Sequence, residues 1–325
     1  MKVGISITPD YVRLQDIPLY AEKAEKAGFH SVWIPEHFMY GETFTLLSAA
    51  AGRTNRVGLG TGIISIYTRH PALTAMAIST LQTLSGGRAM LGIGIGGEHW
   101  MRECFGYSLR GSVDALREGV SLVRSILRGG DVNFRGAHFR AVGLSIHSRG
   151  VPPPIYVAAV GPRALRVAGE VGDGVIFSAF SSVSYIRKSI KIVKDACREA
   201  GRDYSKLEYA AMVATANYSE EGMRSLRNLA ATYLSWHMRG ERVLDEDARS
   251  EVDLPKLRSD IRAGRLDRAG DRIGDRILNE IAAAGERKHV IGQLRKFQQA
   301  GLTLPILYPI GSPDSAIELF PSEVT

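Results

Sequence analysis

Cysteine is nearly absent from this chain: Cys104 and Cys197, far apart, are the only two among 325 residues. They can form one disulfide at most, so no cross-linked framework supports the fold. With no CxxC pair and no Cys/His cluster, no zinc site is expected. Both fall in helix-like stretches and read as free thiols. No run reaches the ~18 consecutive apolar residues of a membrane helix. The start, Val3-Gly4-Ile5-Ser6-Ile7, is strand-like and lacks the apolar block and small-residue cleavage site of a secretion signal. A soluble, cytoplasmic protein with no membrane partner is expected. Low-complexity segments, internal repeats, a linker and a second core are missing too, so residues 1–325 read as one domain.

What is there is globular. The chain is 45% hydrophobic and 23% charged, enough to bury a large core without staples. Basic residues outnumber acidic ones 41 to 34, for a net charge of +7. That fits either affinity for a polyanion or a solvated surface rich in ion pairs. The basic residues are interspersed with acidic ones and form no stripe with aromatics. This argues against nucleic acid as the main partner and leaves room for a smaller anion, such as a phosphorylated cofactor.

Short β-rich runs alternate with longer helical ones. Strand-like runs lie at residues 3–8, 31–34, 57–63, 89–95, 155–159, 174–178, 207–215 and 304–308. Most are continuously apolar, as in parallel strands buried on both faces. Helical patterns at 17–27, 71–85, 113–127 and 184–200 lie between them, with Pro71 at a first turn and Gly28 and Gly201 as stops. Eight βα units predict an α/β fold closed into a (β/α)8 TIM barrel. Two stretches break the rhythm. Residues 131–154 contain Asn133-Phe134-Arg135-Gly136-Ala137-His138-Phe139, read as a hairpin over the barrel top. Residues 220–289 read as a helical insertion before the last strand, with charge clusters such as Asp245-Glu246-Asp247. Methionines and aromatics along the helices are read as core.

In such a barrel, chemistry sits at the C-terminal ends of the strands. Glu36 and His37 follow the second strand and fit a general acid/base pair, or a structural pair. Around the third strand, Gly58, Gly60 and Gly62 alternate, with Thr61 and Ile63 between and after them. Alternate glycines admit a ligand or a second backbone, or mark a tight barrel corner. Gly92, Gly94 and Gly97 match GxGxxG, but after three complete βα units, and no Lys-Ser/Thr follows. A dinucleotide or Walker loop is therefore not indicated. The run through Gly94, Gly96 and Gly97 reads as a loop passing flat under a planar ring. Glu98 at its edge is either catalytic or a surface carboxylate. Val160, Gly161, Pro162, Arg163 and Ala164 form a strand–turn–helix junction: a phosphate site at a helix N-terminus, or an ordinary turn. Ser178 and the Pro309-Ile310-Gly311-Ser312 turn complete the rim.

Taken together, Ala24-Glu25-Lys26-Ala27-Gly28-Phe29, Trp33-Ile34-Pro35-Glu36-His37, Leu59-Gly60-Thr61-Gly62-Ile63, Arg69-His70-Pro71-Ala72, the segment from Thr80 to Ala89, Leu91-Gly92-Ile93-Gly94, and Ile155-Tyr156-Val157-Ala158-Ala159 with Gly169-Glu170-Val171-Gly172-Asp173-Gly174 carry a resemblance. The chain resembles the luciferase-like superfamily, most closely the F420-dependent methylenetetrahydromethanopterin reductases. The resemblance implies an F420-dependent oxidoreductase that moves a hydride between the deazaflavin and a small or pterin-like substrate. It implies a cis peptide at Gly62-Ile63 as a bulge against the ring, with Gly94 to Gly97 flanking ring or ribityl chain. Val160, Gly161, Arg163 and Ala164 would hold the phosphate, and His37 would lie near the deazaflavin. His37, Glu36 and Glu98, the last one position beyond a family acid, are the catalytic candidates, and a homo-oligomer is expected. The alternatives are an FMN-dependent monooxygenase on the same barrel and a noncatalytic flavin-binding homologue. Three positions depart from the reductases: Ser6 and Gly97 replace acids, and Glu36 replaces an aspartate. Those acids are tied to the pterin, so the departures bear on substrate more than on cofactor.

Overall fold

The structure is a computed structural model that describes residues 2–146, 150–236, 239–244 and 246–319. Its strands are β1 (Gly4–Ser6), β2 (Ser31–Ile34), β3 (Gly58–Thr61), β4 (Ile64–Ser65), β5 (Ala89–Gly94), β6 (Val132–Arg135), β7 (Arg140–Leu144), β8 (Ile155–Ala158), β9 (Gly174–Phe177), β10 (Glu208–Thr215) and β11 (Leu304–Pro309). Parallel pairing runs β3-β2-β1-β11-β10-β9-β8-β5, and a β3–β5 pairing closes the ring. The result is an eight-stranded (β/α)8 barrel, and each of the eight expected runs supplies one strand. Parallel closure places all C-terminal strand ends on one rim.

The helices are α1 (Ile17–Lys26), α2 (Thr43–Ala51), α3 (Pro71–Leu84), α4 (Ser112–Leu127), α5 (Pro162–Val171), α6 (Val183–Glu199), α7 (Glu220–Ser235), α8 (Arg239–Val243), α9 (Glu246–Ser250), α10 (Leu254–Arg262), α11 (Leu266–Gly270), α12 (Asp275–Ile281), α13 (Arg287–Gln299) and α14 (Asp314–Ile317). Local chemistry sets their ends. Pro71 opens α3, and the His70 side chain accepts from Ala72 N. Ser182 caps α6 by accepting from Tyr185 N. Among the described residues, no helix is long and apolar enough to cross a membrane. Cys104 and Cys197 are both free.

Inside the barrel, Trp33 is fully buried and packs with Met90, Tyr156, Ile176, Ala210, Leu304 and Ile306. Its ring meets Tyr156 edge-on at 5.3 Å, and its indole N–H donates to Ser31 Oγ at 2.8 Å. This indole and Met90 explain the alternating glycines of β3. A methyl on Gly60 would lie 2.4 Å from Trp33 Cε3, and one on Gly58 would lie 2.9 Å from Met90 Sδ. The empty positions make room for side chains reaching across the barrel, not for a ligand.

The two excursions form as expected in kind. β6 and β7 pair as an antiparallel hairpin. Its turn packs on α4: the Glu118 carboxylate accepts from the backbone N of Ala137 and His138, both at 2.9 Å. Residues 147–149 of that stretch, and Asp245 in the second, fall outside the described residues. The second excursion comprises α7 to α12. Its hub is Asp260, only 3% exposed, which accepts from Arg265 at 2.8 Å and Arg272 at 2.7 Å.

Candidate active site at the barrel mouth

The loops after β3, β5 and β8 are neighbours because these strands pair in that order. Gly62, Gly96 and Gly161 therefore share one arc of the rim. After β3 the chain bulges, and the Gly62-Ile63 peptide is cis. Thr61 anchors the bulge: its hydroxyl donates to Gly92 O at 2.7 Å and accepts from Gly92 N at 2.8 Å. A methyl on Gly92 would lie 2.1 Å from Thr61 O, and one on Gly94 would lie 3.0 Å from Ile63 Cδ1. Two sequence expectations change here. Thr61 is fully buried and its hydroxyl is committed to β5, so its side chain acts as a support of the bulge. Gly94 is a strand residue cleared for Ile63, not part of a flat loop. Gly96 does turn the chain, at φ 92°, a conformation that favours glycine.

Next along the rim, Glu36 follows β2. Burial pushes its carboxyl above the usual carboxylate range, against the pull of the Arg69 charge and of the Thr68 hydroxyl. Thr68 Oγ1 donates to Glu36 at 3.3 Å. The protonated acid thus persists to higher pH than an exposed glutamate would allow. Beside it, His37 Nδ1 lies 2.5 Å from Asp10 Oδ1. Asp10 stands on the loop after β1, and nothing in its local sequence marks it. With Nδ1 held, Nε2 is the ring nitrogen left for a ligand.

Glu36, His37, Phe38, Arg69, Phe105 and Tyr107 line an open cavity of about 510 Å³. One side is polar. The other is aromatic: Phe38 lies 5.0 Å from Phe105 and 5.4 Å from Trp100, and Tyr67 lies 5.5 Å from Tyr107. Trp100, Phe105 and Tyr107 are each close to two-fifths exposed, at 38%, 38% and 39%. Reading helical aromatics as core misses this wall, because its residues belong to an irregular turn at 100–104 and the loop beyond it. Glu98, by contrast, forms an exposed ion pair with Arg102 at 3.0 Å, four residues on. That is its surface reading, and the catalytic one gains nothing from it.

Two buried hydroxyls at the end of β1, Ser6 at 1% and Thr8 at 2% exposure, have no hydrogen-bond partner among the described residues. A buried polar atom left unpaired costs free energy and calls for a partner. Across the mouth, Gly161 caps α5 without a side-chain cap, and Pro162 follows it. The Arg163 and Ala164 amides therefore face outward at the positive end of the helix dipole. The Arg163 side chain turns away, is 74% exposed and lies 3.4 Å from Asp114. Its amide, not its guanidinium, is the group it presents at the helix start. Val160 O accepts from Tyr185 at 2.6 Å and Ser178 O accepts from Ser181 at 2.8 Å, so these two brace the rim through their carbonyls.

This geometry has close counterparts. The sequence profile of the family described as luciferase-like monooxygenase matches residues 1–304. A 5,10-methylenetetrahydromethanopterin reductase of Methanolobus tindarius is 35% identical over 211 residues, which is 65% of this chain and 64% of that protein. The reductase of the same description from Archaeoglobus fulgidus is 29% identical over 338 residues, covering 100% of this chain and 98% of that protein. Among solved structures, the coenzyme F420-dependent tetrahydromethanopterin reductase of Methanopyrus kandleri superposes with a TM-score of 0.86 at 25% identity. That match covers 98% of this chain and 96% of the other.

Proposed function

This chain belongs to the luciferase-like monooxygenase family, and on that premise we propose that it is an F420-dependent oxidoreductase. In this reading a hydride moves between the deazaflavin and a small or pterin-like substrate in the aromatic-walled cavity. One observation carries it: the bulge at Gly62-Ile63, the turn at Gly96 and the open N-terminus of α5 lie on one arc. The acid Glu36 and the pair His37–Asp10 stand at its edge.

The residues present fit such a cofactor. Ser6 and Thr8 offer buried hydroxyls without partners. Gly161 leaves a cradle that a side chain would fill. When bound, F420 supplies the hydride donor or acceptor at its central ring carbon. The protein orients and shields. Ile63 and the bulge form a backstop for the ring, and the amides of Arg163 and Ala164 take the phosphate. Phe38, Phe105 and Tyr107 hold a planar apolar substrate face. Glu36, whose burial favours the protonated form, donates a proton at the substrate edge, while His37 exchanges one at Nε2.

Titration of the purified protein with F420 and with FMN, read by fluorescence, tests the cofactor. F420 is expected to bind the tighter. Binding of FMN alone would overturn the reading, and F420 binding without hydride exchange on any imine, ketone or alcohol would reject catalysis.

The pH dependence follows from Glu36. Substrate reduction is expected to fall as pH rises through its titration, above the ordinary carboxylate range. Stability changes the same way. The folded chain keeps a proton that the unfolded chain releases, so this group's contribution is intact at low pH and lost as pH rises through the raised value. Glu36→Gln should remove that limb from both profiles; an unchanged rate profile would exclude Glu36 as the donor.

A further inference from the structure

The helical excursion between β10 and β11 reaches the phosphate end of the mouth. There α8 presents Arg242, an exposed side chain. A methyl on Gly161 would lie 3.3 Å from Arg242 Nη1 and 3.7 Å from its Cζ. Gly161 is also the uncapped start of α5, a helix of ten residues. A guanidinium and the positive end of a helix dipole therefore face the same small volume.

The fold fixes α8 there. Ser182 N donates to Val243 O at 2.9 Å, which ties α8 to the loop after β9. Arg258 donates to the Glu241 carboxylate, and Arg249 donates to Glu241 O at 3.3 Å. Gly240 packs so closely that a methyl there would lie 2.6 Å from Leu234 O and 2.7 Å from Leu254 Cδ2. Val243, next to Arg242, is fully buried. Arg242 is thus delivered by a packed element, and two positive features held this close favour an anion between them.

We propose that Arg242 grips the phosphoryl group of the bound cofactor opposite the α5 amides, which makes the excursion part of the cofactor site. The inference rests on the cofactor reading given above. A planar fork of donors suits two phosphate oxygens, and the helix amides approach from the other side.

Fluorescence titrations of wild type, Arg242→Ala and Arg242→Lys with F420 and with the phosphate-free deazaflavin nucleoside test it. Arg242→Ala should weaken F420 about 10- to 100-fold, as loss of a hydrogen bond to a charged group does. It should leave the nucleoside within about twofold, and Arg242→Lys should fall between. Unchanged F420 affinity would overturn the proposal, and so would equal weakening of both ligands, the mark of a merely structural role. If the wild type takes FMN and not F420, the cofactor reading fails. The same comparison with FMN and riboflavin then decides Arg242 independently, by the same two outcomes.

Discussion

His37→Ala is expected to lower turnover about 100- to 10,000-fold, the span of a general acid–base contribution, with F420 affinity held within about twofold. The imidazole lies at the cavity wall, away from the α5 end where the phosphate would sit. Cofactor binding and proton transfer are therefore carried by different residues. Asp10 acts through His37. Its carboxylate meets Nδ1 at 2.5 Å, which fixes which nitrogen faces the ligand. Asp10→Asn should accordingly cost less than His37→Ala and lower turnover while sparing F420 affinity, because the imidazole stays but is held less firmly. Stopped-flow turnover and equilibrium titration on the two variants check this. Full turnover in His37→Ala would remove the residue from the mechanism. Wild-type turnover in Asp10→Asn would remove Asp10 from the positioning of His37.

The contrast between His37 and Asp10 shows what could be read in advance. His37 follows an apolar strand directly, so its place on the rim came from the period of the chain. Asp10 is 27 positions away and meets it only because β1 and β2 pair side by side in the closed barrel. The eight strands were legible for a simple reason: strands buried on both faces are continuously apolar, and closure needs nothing else from the sequence. The aromatic wall was not legible. Trp100, Phe105 and Tyr107 lie in an irregular turn whose period matches neither helix nor strand, and their exposure depends on what leaves the mouth open. Arg242 was hidden similarly, inside a charged stretch where one arginine looks like its neighbours until Gly161 is placed against it. Thr61 shows the converse. It stands among true rim residues, but its hydroxyl bonds to Gly92, 31 positions on.

The glycines of β3 supply the other large expected effect, because the same pattern admits two causes that differ in outcome. If Gly60 made room for a ligand, Gly60→Ala would weaken binding and spare the fold. The geometry says otherwise: the added methyl would lie 2.4, 2.6 and 2.7 Å from three ring carbons of Trp33. That ring is fully buried, wedged against Tyr156, and its N–H is tied to Ser31, so it has nowhere to turn. Overpacking of this kind costs about 1–3 kcal/mol and occasionally more, and the rigid neighbour here places Gly60→Ala at about 3 kcal/mol or above. Trp33→Leu alone should also destabilise, by leaving a cavity where the indole was. The two changes share one contact, so they should not add. The double variant should be more stable than the sum of the singles by about 1–3 kcal/mol. Chemical denaturation of the four proteins measures the coupling, and additivity within about 0.5 kcal/mol would return Gly60 to the ligand. The bulge at Gly62-Ile63 sits one pleat above this contact, and Trp33 Cβ is 3.3 Å from the position of a methyl on Gly62. A ring displaced by Gly60→Ala would therefore press on the backstop of the site. Cofactor affinity should fall with stability in the single variant and recover with it in the double.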